Sequence, residues 1–514
     1  MPVQPPPLRQ PMLARRLCAL LFALLHALAA AAPEAVSNPG LPWLADDAAQ
    51  ARLAVRLLEQ AGAHGLDPER YGAADLARRL DTVRDASAAA ALERDLEAAM
   101  LHYLRELRAG RTPSVYRAPD EADTVDRVSR LPSRLAEAVR DDRLQELVED
   151  AAPAIPLYRR VMASLAHYRE LARLHPAWPP LPAATGAVAV GDRYRGTALL
   201  RERLHLLGDL DADGAAGGDR YTEELAAALK RFQARHGLAE DGVLGPQTMR
   251  ALAVPLAHRA AQLALTLERL RWLPPLPRGP TVIVNLPAYR LWAFDSSVGV
   301  AEAPLEMRII VGTAAKTPTP LFIGQLRYLE VNPYWNVPRS ITLHEILPKL
   351  ARDSAYLAKN DMELVGAGGR VQLAPDAALA ALRAGSARVR QRPGARNVLG
   401  ALKFAMPNPM DIYLHSTSSK ELFDRSRRDL SHGCIRVERP IELAQFVLAD
   451  AQAWNAAAIE AAIRVGKTRT VPLRTPVPVV LFYATAVTER DGRILFAEDI
   501  YGRDGPLLEA LARP

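Results

Sequence analysis

The segment "MDIYLHSTSSKELFDRSRRDLSHGCIRV", residues 410–437, places a cysteine nineteen residues after a histidine that ends a predicted strand. These two residues are His415 and Cys434. A thiol is mostly protonated at neutral pH, and a nearby imidazole can take its proton and later return it to a leaving amine. The pattern therefore predicts that Cys434 is a nucleophile and that a histidine is its base.

The residues around the cysteine also suit acyl chemistry. His432, Gly433 and Cys434 form a short predicted turn whose N–H groups could converge on an oxyanion, and the glycine lets the backbone approach a substrate. Arg436 follows closely enough to bind a carboxylate or carbonyl. Because His415 and His432 both lie close to the thiol in sequence, spacing alone leaves open which of them is the base.

Three alternative roles for Cys434 are inert packing, a disulfide and a metal ligand. The chain has 2 cysteines, and the second one, Cys18, lies in a predicted export leader. Removal of that leader leaves no disulfide partner and no Cys-rich zinc site. Packing is the usual role of a lone buried cysteine. The adjacent His-Gly pair favours chemistry, because a packing site needs neither a titratable nor a flexible neighbour.

The first 32 residues are typical of an export signal. A basic stretch, "RQPMLARR", precedes the apolar run "LCALLFALLHALAAAA", which ends in small residues suited to cleavage. The run from Leu17 to Ala32 is short for a membrane span of about 20 residues. We expect a cleaved signal peptide; an uncleaved N-terminal anchor is the alternative.

Hydrophobic periodicity divides the rest of the chain into a helical part and a β-rich part, separated by Pro-rich linkers. We predict a multidomain α+β protein with a late hairpin around Asp491-Gly492, a pair suited to a type I′ turn. The predicted segments are a leader at 1–32, a helical domain at 40–180 completed by a helix at 255–273, a small three-helix unit at 188–254, a β-rich, sandwich-like domain at 280–475 with a helical insertion at about 340–396, and a β-hairpin extension at 476–514.

No pattern in the chain calls for a cofactor or a metal. Asp209, Asp211 and Asp213 begin a calcium-loop-like pattern, but Arg220 stands where a bidentate glutamate is needed. Phosphate loops and nucleotide fingerprints are absent from the sequence, and cysteine chemistry requires neither. The formal net charge of +7 is spread without a Lys/Arg-rich run, so we expect no nucleic-acid partner.

The signature formed by His415, fifteen residues and "SHGCIR" (431–436) resembles that of the L,D-transpeptidase catalytic domain, the YkuD family. The segments "NPYWNVP" (332–338) and "RQRPGARNVLGALKF" (390–404) resemble the large periplasmic members from Gram-negative bacteria. The unit at 188–254 is similar to their peptidoglycan-binding domain, and the helical part, with "GLDPERY" at 65–71, to their scaffold domain. The insertion at 340–396 matches the position of their lid.

This resemblance implies a reaction. Such enzymes attack the diaminopimelate carbonyl of a tetrapeptide stem, release D-Ala and form a thioester on the cysteine. The side-chain amine of a second stem then takes the acyl group, which makes a 3→3 cross-link. It also implies a periplasmic location close to the membrane, with an inner-membrane anchor as the alternative, and acylation by carbapenem-type inhibitors. No cofactor is implied.

The resemblance implies roles for individual residues. Cys434 is the nucleophile and His415 the base, while Ser416, where many large members have aspartate, orients the imidazole through its backbone carbonyl. His432 and Gly433 join Cys434 in the oxyanion region. The predicted substrate contacts are Arg436, Ser431, Asn397, Trp335 and Tyr334. Three other functions stay open: a thioester hydrolase, a transferase that attaches a lipoprotein to diaminopimelate, and a wall-binding protein without activity.

Overall fold

The computed structural model describes residues 41–116, 128–211, 218–297 and 303–513, so the predicted leader lies outside the described residues. The N-terminal part is helical, as predicted. Its α-helices are α1 (Ala49–Glu59), α2 (Ala73–Thr82), α3 (Ala86–Ala109), α4 (Leu131–Arg140), α5 (Leu144–Ala151) and α6 (Pro156–Leu174), with 3₁₀ turns at Asp46–Ala48, Gln60–His64 and Pro68–Tyr71.

The long helix α3 shows how local sequence sets this region. Asp85 caps its first turn, with a carboxylate oxygen 2.9 Å from the Ala88 N–H. Leu92, Leu96 and Met100 follow at four-residue spacing and are fully buried in the core of the helical region. The apolar stripe read from the sequence is therefore the face that α3 packs inward.

The small unit has three helices, α7 (Thr197–Leu206), α8 (Glu223–Arg235) and α9 (Pro246–Ala253). Leu225, Leu229 and Phe232 of α8 are buried in its core, as their spacing predicts. The buried carboxylate of Asp209, the first residue of the calcium-like pattern, forms an ion pair with Arg235. Asp209 therefore has a structural role in this unit.

Helix α10 (Leu256–Arg271) follows and packs against α6. Its Glu268 is fully buried and forms an ion pair with Arg271 at 2.7 Å. The same carboxylate accepts hydrogen bonds from the N–H groups of Arg111 (2.7 Å) and Thr112 (2.9 Å), just beyond α3. A buried charge is stable only when paired and hydrogen-bonded, and these contacts tie α10 to the helical region.

The C-terminal part is β-rich, as predicted. Its main strands are β1 (Pro280–Asn285), β2 (Arg290–Asp295), β3 (Leu305–Gly312), β4 (Ile323–Val331), β9 (Leu402–Ala405), β10 (Leu414–His415), β11 (Asp429–Ser431), β12 (Ile435–Val437) and β13 (Arg469–Phe482), with a 3₁₀ turn at Lys420–Asp424. They form a nine-stranded sheet in the order β11-β3-β12-β10-β9-β4-β13-β1-β2. Because β2 also pairs with β3, the sheet closes around one hydrophobic core.

Two helices cover the β-rich domain, α15 (Pro440–Leu448) and α16 (Ala456–Arg464), and both contribute to its core. The predicted insertion lies between β4 and β9. It contains α11 (Arg339–Ile341), a π-helical turn (Thr342–Ile346), α12 (Leu347–Arg352), α13 (Tyr356–Lys359) and α14 (Pro375–Ala384), together with β5 (Trp335–Asn336), β6 (Met362–Gly366), β7 (Gly369–Val371) and β8 (Arg388–Gln391). The four strands pair as β5-β8-β6-β7 beside a separate small core. The insertion is therefore mixed, where the sequence predicted a helical insertion.

The C-terminal segment differs from its prediction in three respects: its boundary, its hairpin turn and an additional helix. The predicted boundary at 475/476 falls inside β13, which pairs with β4 and β1, so the domain continues to Phe482. The hairpin, β14 (Ala486–Thr488) and β15 (Ile494–Phe496), exists, but its turn is longer than type I′: Glu489 N–H bonds to Arg493 O at 2.8 Å, and Gly492 has φ 87°. Helix α17 (Asp504–Ala512) then follows.

No helix within residues 41–116, 128–211, 218–297 and 303–513 is long and apolar enough to cross a membrane.

Candidate active site

Two parallel strands bring the histidine and the cysteine together. Strands β10 and β12 pair with Leu414 opposite Ile435 and His415 opposite Arg436. Leu414 and Ile435 are fully buried in the sheet core. Since side chains alternate along a strand, His415, Cys434 and Arg436 lie on the opposite face. His415 and Cys434, nineteen residues apart in sequence, thus lie on one face of the sheet.

The imidazole of His415 is held in one tautomer. Its Nδ1 lies 2.6 Å from the backbone oxygen of Ser416, which is the contact that the resemblance implies. A carbonyl oxygen can only accept, so Nδ1 carries the proton and Nε2 is left as an acceptor. Burial, followed by the charge of Arg436, lowers the pKa of His415 to about 3. The ring is therefore neutral at neutral pH and able to take a proton.

Ser416 supports this geometry with its side chain as well. Its Oγ donates to Leu399 O at 2.9 Å and accepts from the Leu402 N–H at 3.0 Å. Its N–H donates to Leu402 O at 2.9 Å. The hydroxyl thus fixes the turn before β9, and the main-chain carbonyl of the same residue orients the imidazole.

The thiol of Cys434 is half-buried and polar groups surround it. Its Sγ lies 3.5 Å from the backbone oxygen of Asp411. Burial raises the pKa of Cys434, while hydrogen bonds from Tyr413 and the charge of Lys403 oppose that rise. The resting site therefore pairs a neutral thiol with a neutral imidazole.

Tyr413 is a residue of the site that the motif spacing does not reveal. It precedes β10 by one residue and shares the face of His415, whose ring centroid lies 5.7 Å from that of Tyr413. Burial raises the pKa of Tyr413, and the neighbouring Cys434 thiol raises it further. The phenol is thus a neutral donor beside the nucleophile. Its position two residues before His415 was the available signal, because that spacing puts both residues on one side of a strand.

A lateral row of titratable residues crosses this face of the sheet. Glu330, Lys403, His415 and Arg436 occupy opposing positions on β4, β9, β10 and β12. Lys403 forms an ion pair with Glu330 at 3.2 Å, and its ammonium lies 4.8 Å from the Tyr413 ring centre. The charges of Arg436 and Lys403 both lower the pKa of His415. Lys403 was a second residue that motif spacing did not reveal.

The turn before the nucleophile is closed by Ser431. Its Oγ donates to Cys434 O at 2.6 Å and accepts from the Gly433 N–H at 3.1 Å. Ser431 is buried, so the predicted substrate contact is replaced by a role inside the turn. The Gly433 N–H is likewise occupied, which corrects its predicted place in the oxyanion region. In the described part of the chain, no acceptor contacts the Cys434 N–H.

His432 has a different environment from the buried His415 imidazole. Its side chain is exposed, and its Nε2 is 2.6 Å from the Glu345 carboxylate in the π-helical turn of the insertion. This contact joins the insertion to the residue next to Gly433. The structure thus gives the two histidines different environments, and only His415 lies on the strand face that it shares with Cys434.

The other predicted substrate residues fall into three positions. Arg436 is partly buried, and its Nε has no hydrogen-bond partner among the described residues, so its predicted contact with substrate stays a prediction. Asn397 is 1% exposed, and its amide bonds to Pro333 O, Arg392 O and the Leu399 N–H, so it stabilises a loop and does not face a groove.

Trp335 and Tyr334 belong to the start of the insertion. Trp335 packs against the small core of the insertion, and the Arg390 guanidinium lies 4.0 Å from the Tyr334 ring centre. Both are half-buried, so their predicted contact with substrate stays a prediction. Within the described ranges, no group of three His, Cys, Asp or Glu residues is placed to hold a metal ion.

The burial of the thiol predicts how the rate of alkylation of Cys434 depends on pH. Because burial raises the pKa of Cys434, we expect iodoacetamide to alkylate it more slowly at pH 7 than it alkylates a free cysteine of pKa about 8.5. The rate should rise with pH to an inflection above that value. Peptide mapping by mass spectrometry locates the label, and the same chain in denaturant is the control. A plateau reached below pH 7 would instead indicate a thiolate at rest.

Comparison with known proteins places this site in a family. The L,D-transpeptidase catalytic domain (YkuD) matches residues 279–479, the scaffold domain matches residues 37–165, and a domain described as "Putative peptidoglycan binding domain" matches residues 195–252. A "Putative L,D-transpeptidase" of Haemophilus influenzae is 34% identical over 273 residues, which cover 52% of this chain and 54% of that protein. The match thus spans about half the length of the relative.

Solved L,D-transpeptidases show weaker similarity. One from Stackebrandtia nassauensis is 14% identical with a TM-score of 0.23, over 60% of this chain and 97% of its own. One from Xylanimonas cellulosilytica is 16% identical with a TM-score of 0.17, over 59% and 100%. The family match rests on the catalytic-domain segment, which contains His415, Cys434 and the sheet that aligns them. Residues 279–479 match the L,D-transpeptidase catalytic domain (YkuD), in a chain that also matches a scaffold domain and a putative peptidoglycan-binding domain.

Proposed function

We propose that the chain is a periplasmic, cysteine-dependent L,D-transpeptidase that forms 3→3 cross-links in peptidoglycan. One observation carries this proposal: Cys434 shares a sheet face with His415, whose Nδ1 proton is held by Ser416 O at 2.6 Å. This leaves Nε2 as the acceptor for the thiol proton. The matched peptidoglycan-binding domain supports a wall polymer as the substrate.

The first half-reaction moves an acyl group to sulfur. As the Cys434 sulfur attacks the diaminopimelate carbonyl of a tetrapeptide stem, its proton passes to Nε2 of His415. The Cys434 N–H stabilises the oxyanion that forms. When the tetrahedral intermediate collapses, the C–N bond to D-Ala breaks and the imidazolium protonates the departing amine. The product is a thioester on Cys434 and a neutral His415.

The second half-reaction returns the site to its resting state. The side-chain amine of a second stem attacks the thioester and gives its proton to His415. The C–S bond then breaks, an amide forms, and the proton returns to sulfur. Because burial lowers the pKa of His415, the imidazolium formed in each half-reaction gives up its proton readily, to the departing amine in the first and to sulfur in the second.

The insertion favours transfer over hydrolysis. The contact between His432 and Glu345 holds the insertion against the nucleophile turn, residues 431–434. A cover at this place limits the access of water to a thioester, which must survive until an amine arrives.

Mass spectrometry of muropeptides tests the proposed function. The enzyme is incubated with a purified disaccharide-tetrapeptide, and we expect dimers that have lost one D-Ala. A tripeptide product without dimers would show that water is the acceptor and would replace transfer with hydrolysis. An unchanged tetrapeptide would contradict both activities. The Cys434→Ala variant is the control for contaminating hydrolases.

A further inference from the structure

A loop behind the nucleophile turn holds two of its carbonyl groups. This support loop, residues 313–319, follows β3. Ser431 O accepts hydrogen bonds from the Thr313 N–H at 3.0 Å and from Thr317 Oγ1 at 3.1 Å. Gly433 O accepts from Thr319 Oγ1 at 2.8 Å. The support loop therefore fixes the backbone on both sides of His432.

Thr319 is the central residue of this support. Its side chain is fully buried, and its Oγ1 also accepts from the Gly312 N–H at 2.9 Å. The hydroxyl thus connects the end of β3 to the carbonyl that precedes Cys434. Gly312 permits this close packing, because a Cβ there would overlap Thr317 O and lie 2.9 Å from the Gly433 Cα.

The Thr319 contact acts on the peptide bond that carries the candidate oxyanion donor. A trans peptide is planar, so its C=O and N–H point in opposite directions. Fixing Gly433 O therefore fixes the direction of the Cys434 N–H. Gly433 has φ 114°, a backbone conformation that L side chains rarely adopt, so the peptide needs external support to hold one orientation.

A tyrosine from the C-terminal segment closes the support loop. The Tyr501 hydroxyl donates to Gly312 O at 2.7 Å and accepts from the Thr319 N–H at 3.2 Å. It thereby joins the two ends of the support loop. Tyr501 lies beyond residues 279–479, the segment matched by the catalytic-domain family.

Tyr501 is itself held firmly. Its ring stacks on Tyr483, with centroids 5.9 Å apart, and its N–H donates to the Tyr483 hydroxyl at 3.0 Å. The Tyr483 hydroxyl in turn bonds to Asp499, whose carboxylate also accepts from the N–H groups of Arg503 and Asp504, both at 2.8 Å. The tyrosine is therefore part of a rigid turn that starts at the end of β13.

We propose that Thr319 and Tyr501 are positioning residues that hold the Gly433–Cys434 peptide so that the Cys434 N–H faces the developing oxyanion. The C-terminal segment 483–504 then contributes to acyl transfer although it lies outside the matched catalytic domain. This inference rests on the proposed function, because it requires an acyl-enzyme on Cys434.

Thr319→Val tests the proposal, because valine keeps the shape of threonine and removes the hydroxyl. In the full-length chain, we expect the rate constant for carbapenem acylation of Cys434 at saturating inhibitor to fall about 10- to 100-fold, less than the 10²–10³-fold loss typical of removing an oxyanion donor itself. The concentration for half-maximal rate should stay within about threefold, since Thr319 stands behind the turn. Thr319→Ser restores the hydroxyl and should recover most of the rate.

Tyr501→Phe is an independent test of the proposal and should lower the same rate constant by about 3- to 10-fold. This variant loosens the support loop but keeps the hydrogen bond from Thr319 to Gly433 O. Tyr116→Phe is the matched control, since the buried Tyr116 hydroxyl donates to Leu481 O at 3.1 Å, away from the turn. A merely structural role predicts that both tyrosine variants lose thermal stability and keep the wild-type rate constant.

The outcomes distinguish failure of the positioning role from failure of the proposed function. Wild-type acylation by Thr319→Val, or equal rates for Tyr501→Phe and Tyr116→Phe, would overturn the positioning role. If Thr319→Val does not fold, Thr319→Ser and Tyr501→Phe decide the question alone. Failure of the unmodified chain to form an adduct on Cys434 would instead contradict the proposed function.

Discussion

Replacing Cys434 with alanine is expected to abolish the covalent adduct between the protein and a carbapenem, the inhibitor class implied by the family resemblance. The sulfur opens the β-lactam ring and keeps the whole inhibitor as a thioester, so intact-protein mass spectrometry should show one added carbapenem mass on the wild type and none on the variant. The same variant should form no cross-linked dimer from disaccharide-tetrapeptide. The loss should be complete because the methyl group of alanine cannot attack a carbonyl.

Cys434→Ser is the matched control for the shape of the site. A hydroxyl is far less acidic than a thiol, and the neutral imidazole of His415 has too low a basicity to activate it, so we expect no adduct there either. Both variants should melt close to the wild type, because substitutions at half-buried positions away from ion pairs change stability by about 1 kcal/mol. An adduct of unchanged yield in the alanine variant would remove Cys434 from the nucleophile role.

The sequence was informative where local periodicity decides the outcome. His415 ends a short strand and Cys434 precedes another, so alternation alone places both on the face opposite Leu414 and Ile435 once the strands pair. The buried stripe of Leu92, Leu96 and Met100 follows from helical spacing in the same way.

The sequence was uninformative where long-range packing decides the outcome. Thr319 hydrogen-bonds to Gly433, 114 residues away in sequence, and Tyr501 to Gly312, 189 residues away. Neither contact produces a periodic pattern in the sequence. Asn397 was predicted from the family resemblance to contact substrate, yet its amide bonds to Arg392 O and the Leu399 N–H of its own loop and to Pro333 O, 64 residues earlier in the chain. The sheet of the insertion escaped prediction because its strands are two to five residues long, too short for alternation to be recognised.

His415→Ala is expected to lower carbapenem acylation and cross-linking by about 10²- to 10⁴-fold, the usual contribution of a positioned general base. Without the imidazole, the thiol must lose its proton to solvent, and burial raises its pKa. The residual rate should therefore increase about tenfold per pH unit below that pKa, whereas the wild-type rate should vary little between pH 5 and 8, because the pKa of His415 is lowered to about 3. Stopped-flow measurement of acylation across this pH range checks both slopes.

His432→Ala is the comparison that assigns the base. Its imidazole is exposed and bonded to Glu345, so its loss should release the insertion from the turn while the proton acceptor at Nε2 of His415 remains. We expect its acylation rate to stay within about tenfold of the wild type, with the flat pH profile preserved. A steep pH slope in His432→Ala together with a flat one in His415→Ala would transfer the base role to His432, since only loss of the base makes acylation depend on the thiol's own ionisation.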